Sequence, residues 1–227
     1  GMMLVISIYT VTDGIFIGRY AGSLALAASN IVYPALNLVF GLSIMLASGG
    51  SALVAKTMGE GDMALARSRF TMIAAVGAAL GVWLALSVFL FMEPLLSLLG
   101  ASPELYADCR SYLAVNIFFA PCIALMIVFN AFYIADGRPV QGFFVSLTAG
   151  MVNAGLDYVF LALFGMGVFG AGLATGLSDL TAAVLGLLYF SRWSRTIFFS
   201  RFSFSLRPLF QAAYNGSSEM VTQLSVG

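Results

Sequence analysis

The sequence predicts an all-α transmembrane protein, a bundle of six helices followed by the start of a seventh. Hydrophobic residues make up 61% of the chain and charged residues only 9%, whereas a soluble domain has roughly 25% charged residues to cover its surface. Apolar runs also recur along the whole chain. Many are long enough to cross a hydrocarbon core of about 30 Å, for which roughly 20 helical residues suffice.

Each predicted span is an apolar run bounded by glycine, proline or charged residues. The spans are residues 2–18, 29–55, 70–92, 111–134, 140–164 and 168–190, and a seventh helix begins near Pro208. Pro34 and Pro121 fall inside the second and fourth spans, where we expect each to bend its helix and to be a candidate hinge. A purely architectural role for the two prolines is an equally good interpretation.

The connector between the second and third spans has a pattern of its own. Gly59-Glu60-Gly61-Asp62 predicts a turn, and Asp62 is a suitable N-cap for a short helix that starts at Met63. The chain also begins and ends inside apolar runs, so we expect it to be a segment of a longer membrane protein.

Basic residues predict the orientation. Eight of the ten lie in the loops after even-numbered spans: Lys56, Arg67, Arg69, Arg138, Arg192, Arg195, Arg201 and Arg207. Because cytoplasmic loops are enriched in Lys and Arg, this end of the bundle and the N-terminus are predicted to be cytoplasmic, in a multi-pass protein of the cell membrane. Asp13 and Asp157 then both fall in the outer half of the bilayer.

Composition also excludes several classes of function. Ten basic and ten acidic side chains cancel, so there is no polyanion-binding surface and no nucleic-acid partner is expected. The chain has no histidine, which leaves any proton chemistry to carboxylates. An enzyme is not expected, because no nucleophile with an adjacent base, metal-binding histidine motif or phosphate loop is present. No cofactor is expected either.

The candidate functional residues are two aspartates inside apolar spans and the polar residues near them. Ionisable groups in hydrocarbon are costly and usually mark an ion or proton pathway. Asn153 and Asp157 are four residues apart and therefore share a helix face. The next span, which carries Thr175, is predicted to start at the outer face of the membrane, in the half where Asp13 lies. Their oxygens suit a hard cation such as Na⁺. Because two close carboxylates repel, Na⁺ and H⁺ are expected to compete for one site.

Structural alternatives remain for several of these residues. Asp157 could be a structural buried carboxylate, Asn153 could make an interhelical hydrogen bond, and the Thr175 hydroxyl could bond within its own helix. The weaker candidates are the Ala171 carbonyl, Asp179 as an inward extension of the pathway, and Asn130 as a cavity residue or interhelical bond.

Several segments together resemble the multidrug and toxic compound extrusion (MATE) family of transporters. They are 13–18 with 24–28, 59–62, 94–100, 136–139, the pair Asn153 and Asp157, and 167–175. The resemblance implies the N-terminal lobe of a twelve-helix exporter: residues 1–195 as the lobe with a truncated first helix, 196–207 as a cytoplasmic inter-lobe linker, and 208–227 as the start of helix seven.

The resemblance also implies a function. By this resemblance the protein is expected to be a cation-coupled antiporter that exports organic, often cationic, drug-like compounds by alternating access, and to be monomeric in its full-length form. Asp13, Asn153, Asp157 and Thr175 match the family's cation site, and Glu219 is a candidate for a functional glutamate on helix seven. The alternatives are a lipid-linked oligosaccharide flippase of the same superfamily, which would need basic residues deep in its spans, and a membrane scaffold without transport.

Overall fold

The computed structural model describes residues 14–226. The predicted first span, 2–18, therefore lies almost entirely outside the described residues, as does Asp13. The described chain forms these α-helices: α1 Ser23–Gly59, α2 Met63–Leu90, α3 Met92–Leu98, α4 Tyr106–Phe118, α5 Ala120–Ala135, α6 Pro139–Asp157, α7 Gly167–Leu188 and α8 Leu206–Val226. Helices with no strand among the described residues confirm the all-α prediction.

The described residues also form three π-helical turns. Ile17–Ala21 precedes α1, Tyr158–Leu163 continues α6, and Tyr189–Trp193 continues α7. With these extensions, four helices within residues 14–226 are long and apolar enough to cross a membrane: Ser23–Gly59, Met63–Leu90, Pro139–Leu163 and Gly167–Trp193. Helices α4 and α5, which are bent by 52° at the break between them, are together also long and apolar enough to cross a membrane if they form one span. The protein is a multi-pass membrane protein, and α8 is the helix predicted to start near Pro208.

The prediction for the connector between the second and third spans was partly wrong. Asp62 is the N-cap of α2, and its side chain accepts a hydrogen bond of 2.9 Å from the backbone N–H of Leu65. The helix that it caps is not a short connector, because it continues without a break to Leu90. The run of helix formers from Met63 joins the apolar span directly, since no glycine or proline separates them.

The outer surface of the bundle is apolar. Leu90 is 77% exposed, Met151 is 69% exposed and Trp83 is 62% exposed. Side chains of this size at such exposure fit a surface that faces lipid rather than water. At the end rich in basic residues, rings from α2, α5 and the end of α7 form an aromatic core, with Phe70 4.8 Å from Phe132 and 4.9 Å from Phe190 between centroids.

Helix α1 packs against α2, α5 and α8, and α7 packs against α4, α5 and α6. The contact between α1 and α8 is unusually close. A Cβ added to Gly49 would lie 1.8 Å from the Ala212 carbonyl oxygen, and one added to Gly216 would lie 2.0 Å from the Met45 carbonyl oxygen. The two backbones therefore touch where glycine faces glycine, as in small-residue crossings of membrane helices.

The segment 194–205 between α7 and α8 is not helical, but its first half is held to the bundle. Asp136, at the end of α5, accepts hydrogen bonds from the Tyr189 hydroxyl (2.7 Å), the Ser194 hydroxyl (3.1 Å) and the backbone N–H of Ile197 (3.1 Å). On the other side, Arg67 Nε donates to the Thr196 carbonyl at 3.0 Å. These bonds fix 194–197 to α2 and α5.

We expect Asp136→Ala to release this segment. The substitution leaves three donors without their acceptor, a loss of about 1–3 kcal/mol for an unsatisfied group. Hydrogen exchange of the purified full-length protein should show faster exchange of the backbone N–H of Ile197 and its neighbours. Glu93→Ala, which removes an exposed carboxylate elsewhere, is the matched control and should leave that exchange unchanged. Equal protection in Asp136→Ala and the parent protein would contradict the assignment.

Candidate functional site

Helix α6 places two polar side chains in the interior and leaves its apolar side chains outside. Its only buried residues are Gly142, Asn153 and Asp157, and both polar side chains are 0% exposed. The apolar Phe144 and Met151 are instead 58% and 69% exposed. This pattern is the reverse of a water-soluble helix, and it shows that α6 turns one polar stripe toward the bundle and its apolar faces toward lipid.

Asp157 is also the point at which the helix changes its geometry. It is the last residue of α6, and the π-helical turn Tyr158–Leu163 follows directly. π-Helical turns inside helices are rare and are frequently found at functional sites. The π-helical turn therefore begins directly after Asp157, one of the two aspartates that the sequence predicts to be functional.

On α7, the Thr175 hydroxyl makes no hydrogen bond within its helix. The expected back-bond to the Ala171 carbonyl is not made, although the neighbouring Thr181 hydroxyl donates to Leu177 O at 2.8 Å. The Thr175 Oγ1 is buried and has no hydrogen-bond partner within residues 14–226. The predicted bond of the Thr175 hydroxyl within its own helix is therefore not made.

Asn153 presents the same feature more strongly. Its Nδ2 and Oδ1 are both buried and unpartnered in the described part of the chain. Leaving such groups unsatisfied costs about 1–3 kcal/mol each, so buried polar atoms are normally paired with protein, water or an ion. Asn153 Oδ1 and the Asp157 carboxylate on the same face are oxygen ligands of the kind that a hard cation takes.

The packing of α7 brings two further polar residues to this region. A Cβ on Gly172, one turn before Thr175, would lie 2.9 Å from Asn116 Nδ2 and 3.4 Å from a ring carbon of Tyr112. Both side chains come from α4, and both are buried. Tyr112 was not among the predicted site residues. The feature that lets Tyr112 reach α7 is the bare backbone of Gly172, and no sequence pattern pairs these two positions.

The remaining candidate residues lie on α5, α7 and α8. Ala171 is fully buried and Asp179 is 5% exposed, so both fall on the inner side of α7. Asn130 accepts a bond of 3.4 Å from Ser146 Oγ, which links α5 to α6 as the interhelical interpretation predicts. Glu219 is exposed on α8, which packs chiefly against α1, so the structure does not bring it to Asn153 and Asp157.

The two hinge candidates differ. Pro34 lies within α1, which stays helical on both sides of it. Pro121 stands in the first turn of α5, directly after the break at Phe119 where α4 and α5 are bent by 52°. Proline removes a backbone donor and clashes with the preceding turn, which accounts for a break at this position. Movement at either proline stays a prediction.

Comparison with known proteins adds an independent line of evidence. The MatE family model matches residues 1–159. Multidrug export protein MepA of Staphylococcus aureus (strain NCTC 8325 / PS 47) is 27% identical over 192 residues, which is 84% of this chain and 42% of MepA. The chain thus spans less than half the length of this curated relative.

Solved structures show the same fold. One is described as the inward-facing conformation of a multidrug resistance MATE family transporter of the MOP superfamily. It is 24% identical with a TM-score of 0.89, and the match covers 96% of this chain and 50% of that one. Another is described as the outward-facing conformation of such a transporter. It is also 24% identical, with a TM-score of 0.91, and the match covers 99% of this chain and 50% of that one.

Proposed function

This chain belongs to the MatE family, and from that premise we propose that it is the cation-coupling half of a transporter that exports organic, often cationic, drug-like compounds by alternating access. Members of this family are transporters without a cofactor, so the prediction that the chain is not an enzyme is confirmed. The observation that supports the proposal is a set of buried polar atoms on two helices that pack together, Asn153 Nδ2 and Oδ1 with the Asp157 carboxylate on α6 and Thr175 Oγ1 on α7. Three of its polar atoms have no partner within the described residues.

Each residue of the cluster has a role in the proposed coupling. Asp157 supplies the negative charge, while Asn153 Oδ1 and Thr175 Oγ1 are neutral oxygen ligands for Na⁺ or hydrogen-bond acceptors for a protonated group. Asp13 is the proposed second carboxylate and lies outside the described residues. A coupling ion shifts the transporter between conformations only if it binds the two states unequally. We therefore place the conformational change at the helices that surround these atoms.

The orientation proposed for the protein follows from its charges. The end of the bundle that holds Lys56, Arg67 and Arg138 lies in the cytoplasm, and so does the N-terminus. The cluster then opens toward the exterior of a cell membrane, where the driving Na⁺ or H⁺ enters. Exchange of that ion for a drug from the inside is antiport.

We further propose that residues 1–195 move as one lobe, that 196–207 link it to a second lobe, and that 208–227 begin the second lobe in a monomeric full-length protein. The segment after Trp193 supports this division, because it is the longest non-helical stretch within residues 14–226.

Transport of a lipid-linked oligosaccharide is less well supported. Its anionic pyrophosphate would need basic side chains within the spans, and the buried polar residues of the described chain are serine, threonine, asparagine and aspartate. A scaffold without transport would not need the buried Asp157 carboxylate or the unpartnered Asn153 amide and Thr175 hydroxyl.

Counterflow in proteoliposomes tests the proposal. Full-length protein should accumulate labelled ethidium against its gradient when vesicles are preloaded with unlabelled ethidium, and the exchange should depend on Na⁺ or H⁺. A scaffold would show no exchange at all. A flippase would move a fluorescent lipid-linked substrate between leaflets and leave ethidium behind.

A further inference from the structure

A second polar site lies at the basic end of the bundle, apart from the cation cluster. A pocket of about 280 Å³ opens where the last turns of α1 meet the first turns of α2 and α8. It is lined by Leu53, Lys56, Glu60, Arg69, Arg207, Pro208 and Gln211. This volume is smaller than that of sites for drug-sized molecules, which occupy roughly 300–1,000 Å³.

The charges that line the pocket favour an anion. Lys56, Arg69 and Arg207 face a single acidic residue, Glu60. The ion pair between Lys56 and Glu60 is 3.9 Å long, and its side chains are 75% and 60% exposed. Exposed pairs of this kind contribute little, so the pocket keeps an excess of positive charge.

A hydrogen bond to Thr57 holds the Arg69 guanidinium in place and leaves some of its N–H groups without a partner among the described residues. One of its terminal nitrogens donates to Thr57 Oγ1, and the Thr57 hydroxyl in turn donates to the Leu53 carbonyl at 2.8 Å. Its Nε is buried and has no partner among the described residues. A guanidinium fixed in this way can offer the remaining N–H groups of its terminal nitrogens to phosphate oxygens.

Helix α8 adds to the attraction for an anion. It begins at Leu206, so Arg207 and Pro208 in its first turn line the pocket. The N-terminal end of a helix carries partial positive charge and free N–H groups, both of which favour a phosphate. The pocket therefore joins two positive features of α8 to the basic side chains of α1 and α2.

We propose that this pocket binds the phosphate of an anionic phospholipid headgroup and thereby ties α8 to α1 and α2. Basic pockets between membrane helices on the cytoplasmic side are typical sites for anionic headgroups. Leu53 and Pro208 supply an apolar edge for the glycerol part of the lipid. A bound headgroup stabilises the arrangement in which α8 is packed on α1, so anionic lipid favours the conformations that keep this contact.

Lipid retention by the full-length protein tests the proposal. The protein is placed in nanodiscs that contain equal amounts of phosphatidylglycerol and phosphatidylcholine, and the lipids that remain bound are counted by native mass spectrometry. The parent protein should retain phosphatidylglycerol in preference. Arg207→Gln, an exposed position, and the double variant Arg69→Gln with Arg207→Gln should lose that preference by about tenfold.

Two controls test whether retention depends on this pocket and on the lipid rather than on free phosphate. Arg192→Gln removes an exposed basic residue of the same end that does not line the pocket, and it should retain lipid like the parent. Inorganic phosphate at millimolar concentration should not displace the lipid. Equal retention by Arg207→Gln and Arg192→Gln would overturn the site, and full displacement by inorganic phosphate would overturn its assignment to lipid.

Discussion

Replacing Asp157 with asparagine is expected to abolish export by the full-length protein while leaving membrane insertion intact. The side chain is fully buried, and asparagine has nearly the same volume, so packing is preserved. What is lost is the negative charge that a cation site needs in a low-dielectric interior. Ethidium efflux from cells that express the variant should fall to the background of cells without the protein, at an unchanged amount in the membrane fraction.

The neutral members of the cluster should contribute less. Asn153→Ala and Thr175→Val each remove one uncharged donor, and we expect efflux to fall by roughly tenfold or less, since a neutral hydrogen-bonding group contributes about 1 kcal/mol. Asp108→Asn is the matched control, because it makes the same change at an acidic residue in the first turn of α4. If Asp157→Asn and Asp108→Asn both exported ethidium like the parent, the coupling role of Asp157 would be disproved.

The second large effect is expected at the crossing of α1 and α8. Gly49→Ala places a methyl group 1.8 Å from the Ala212 carbonyl oxygen. Because this neighbour is backbone, no rotation of a side chain relieves the overlap, and the two helices must separate. Overpacking of this kind typically costs 1–3 kcal/mol and occasionally more. We expect a lower thermal unfolding midpoint of the detergent-solubilised full-length protein and impaired export.

Gly41→Ala is the matched control for this effect. Gly41 faces the same helix, but a Cβ there would lie 3.4 Å from the Leu224 side chain, at ordinary contact distance. Its unfolding midpoint should stay close to that of the parent protein. A Gly49→Ala variant as stable as Gly41→Ala would show that α1 and α8 do not touch in the full-length protein.

The sequence was sufficient for the parts of the site that depend on one helix at a time. The four-residue spacing of Asn153 and Asp157 predicted a shared face, and the structure buries both side chains completely. Pro121 predicted a bend, and the span is broken next to it. Such features follow from helical periodicity and from the missing N–H of proline, which are local properties of the chain.

Features that depend on contacts between helices could not be predicted. Tyr112 reaches α7 only because Gly172 lets α4 approach, and no pattern in the sequence pairs these two positions. The same holds for Gly49 and Gly216, which are separated by most of the chain and face each other only after α8 has packed on α1. The bonds from Asp136 to Ser194 and Ile197 likewise join distant segments.

The most direct test of the cation cluster is transport with the two ion gradients set independently. Full-length protein and its Asp157→Asn variant are reconstituted in proteoliposomes, and ethidium transport is measured under a Na⁺ gradient alone, a pH gradient alone, and neither. The parent should respond to at least one gradient, and the variant should respond to none. Equal acceleration of both proteins by the same gradient would show that the coupling ion binds elsewhere.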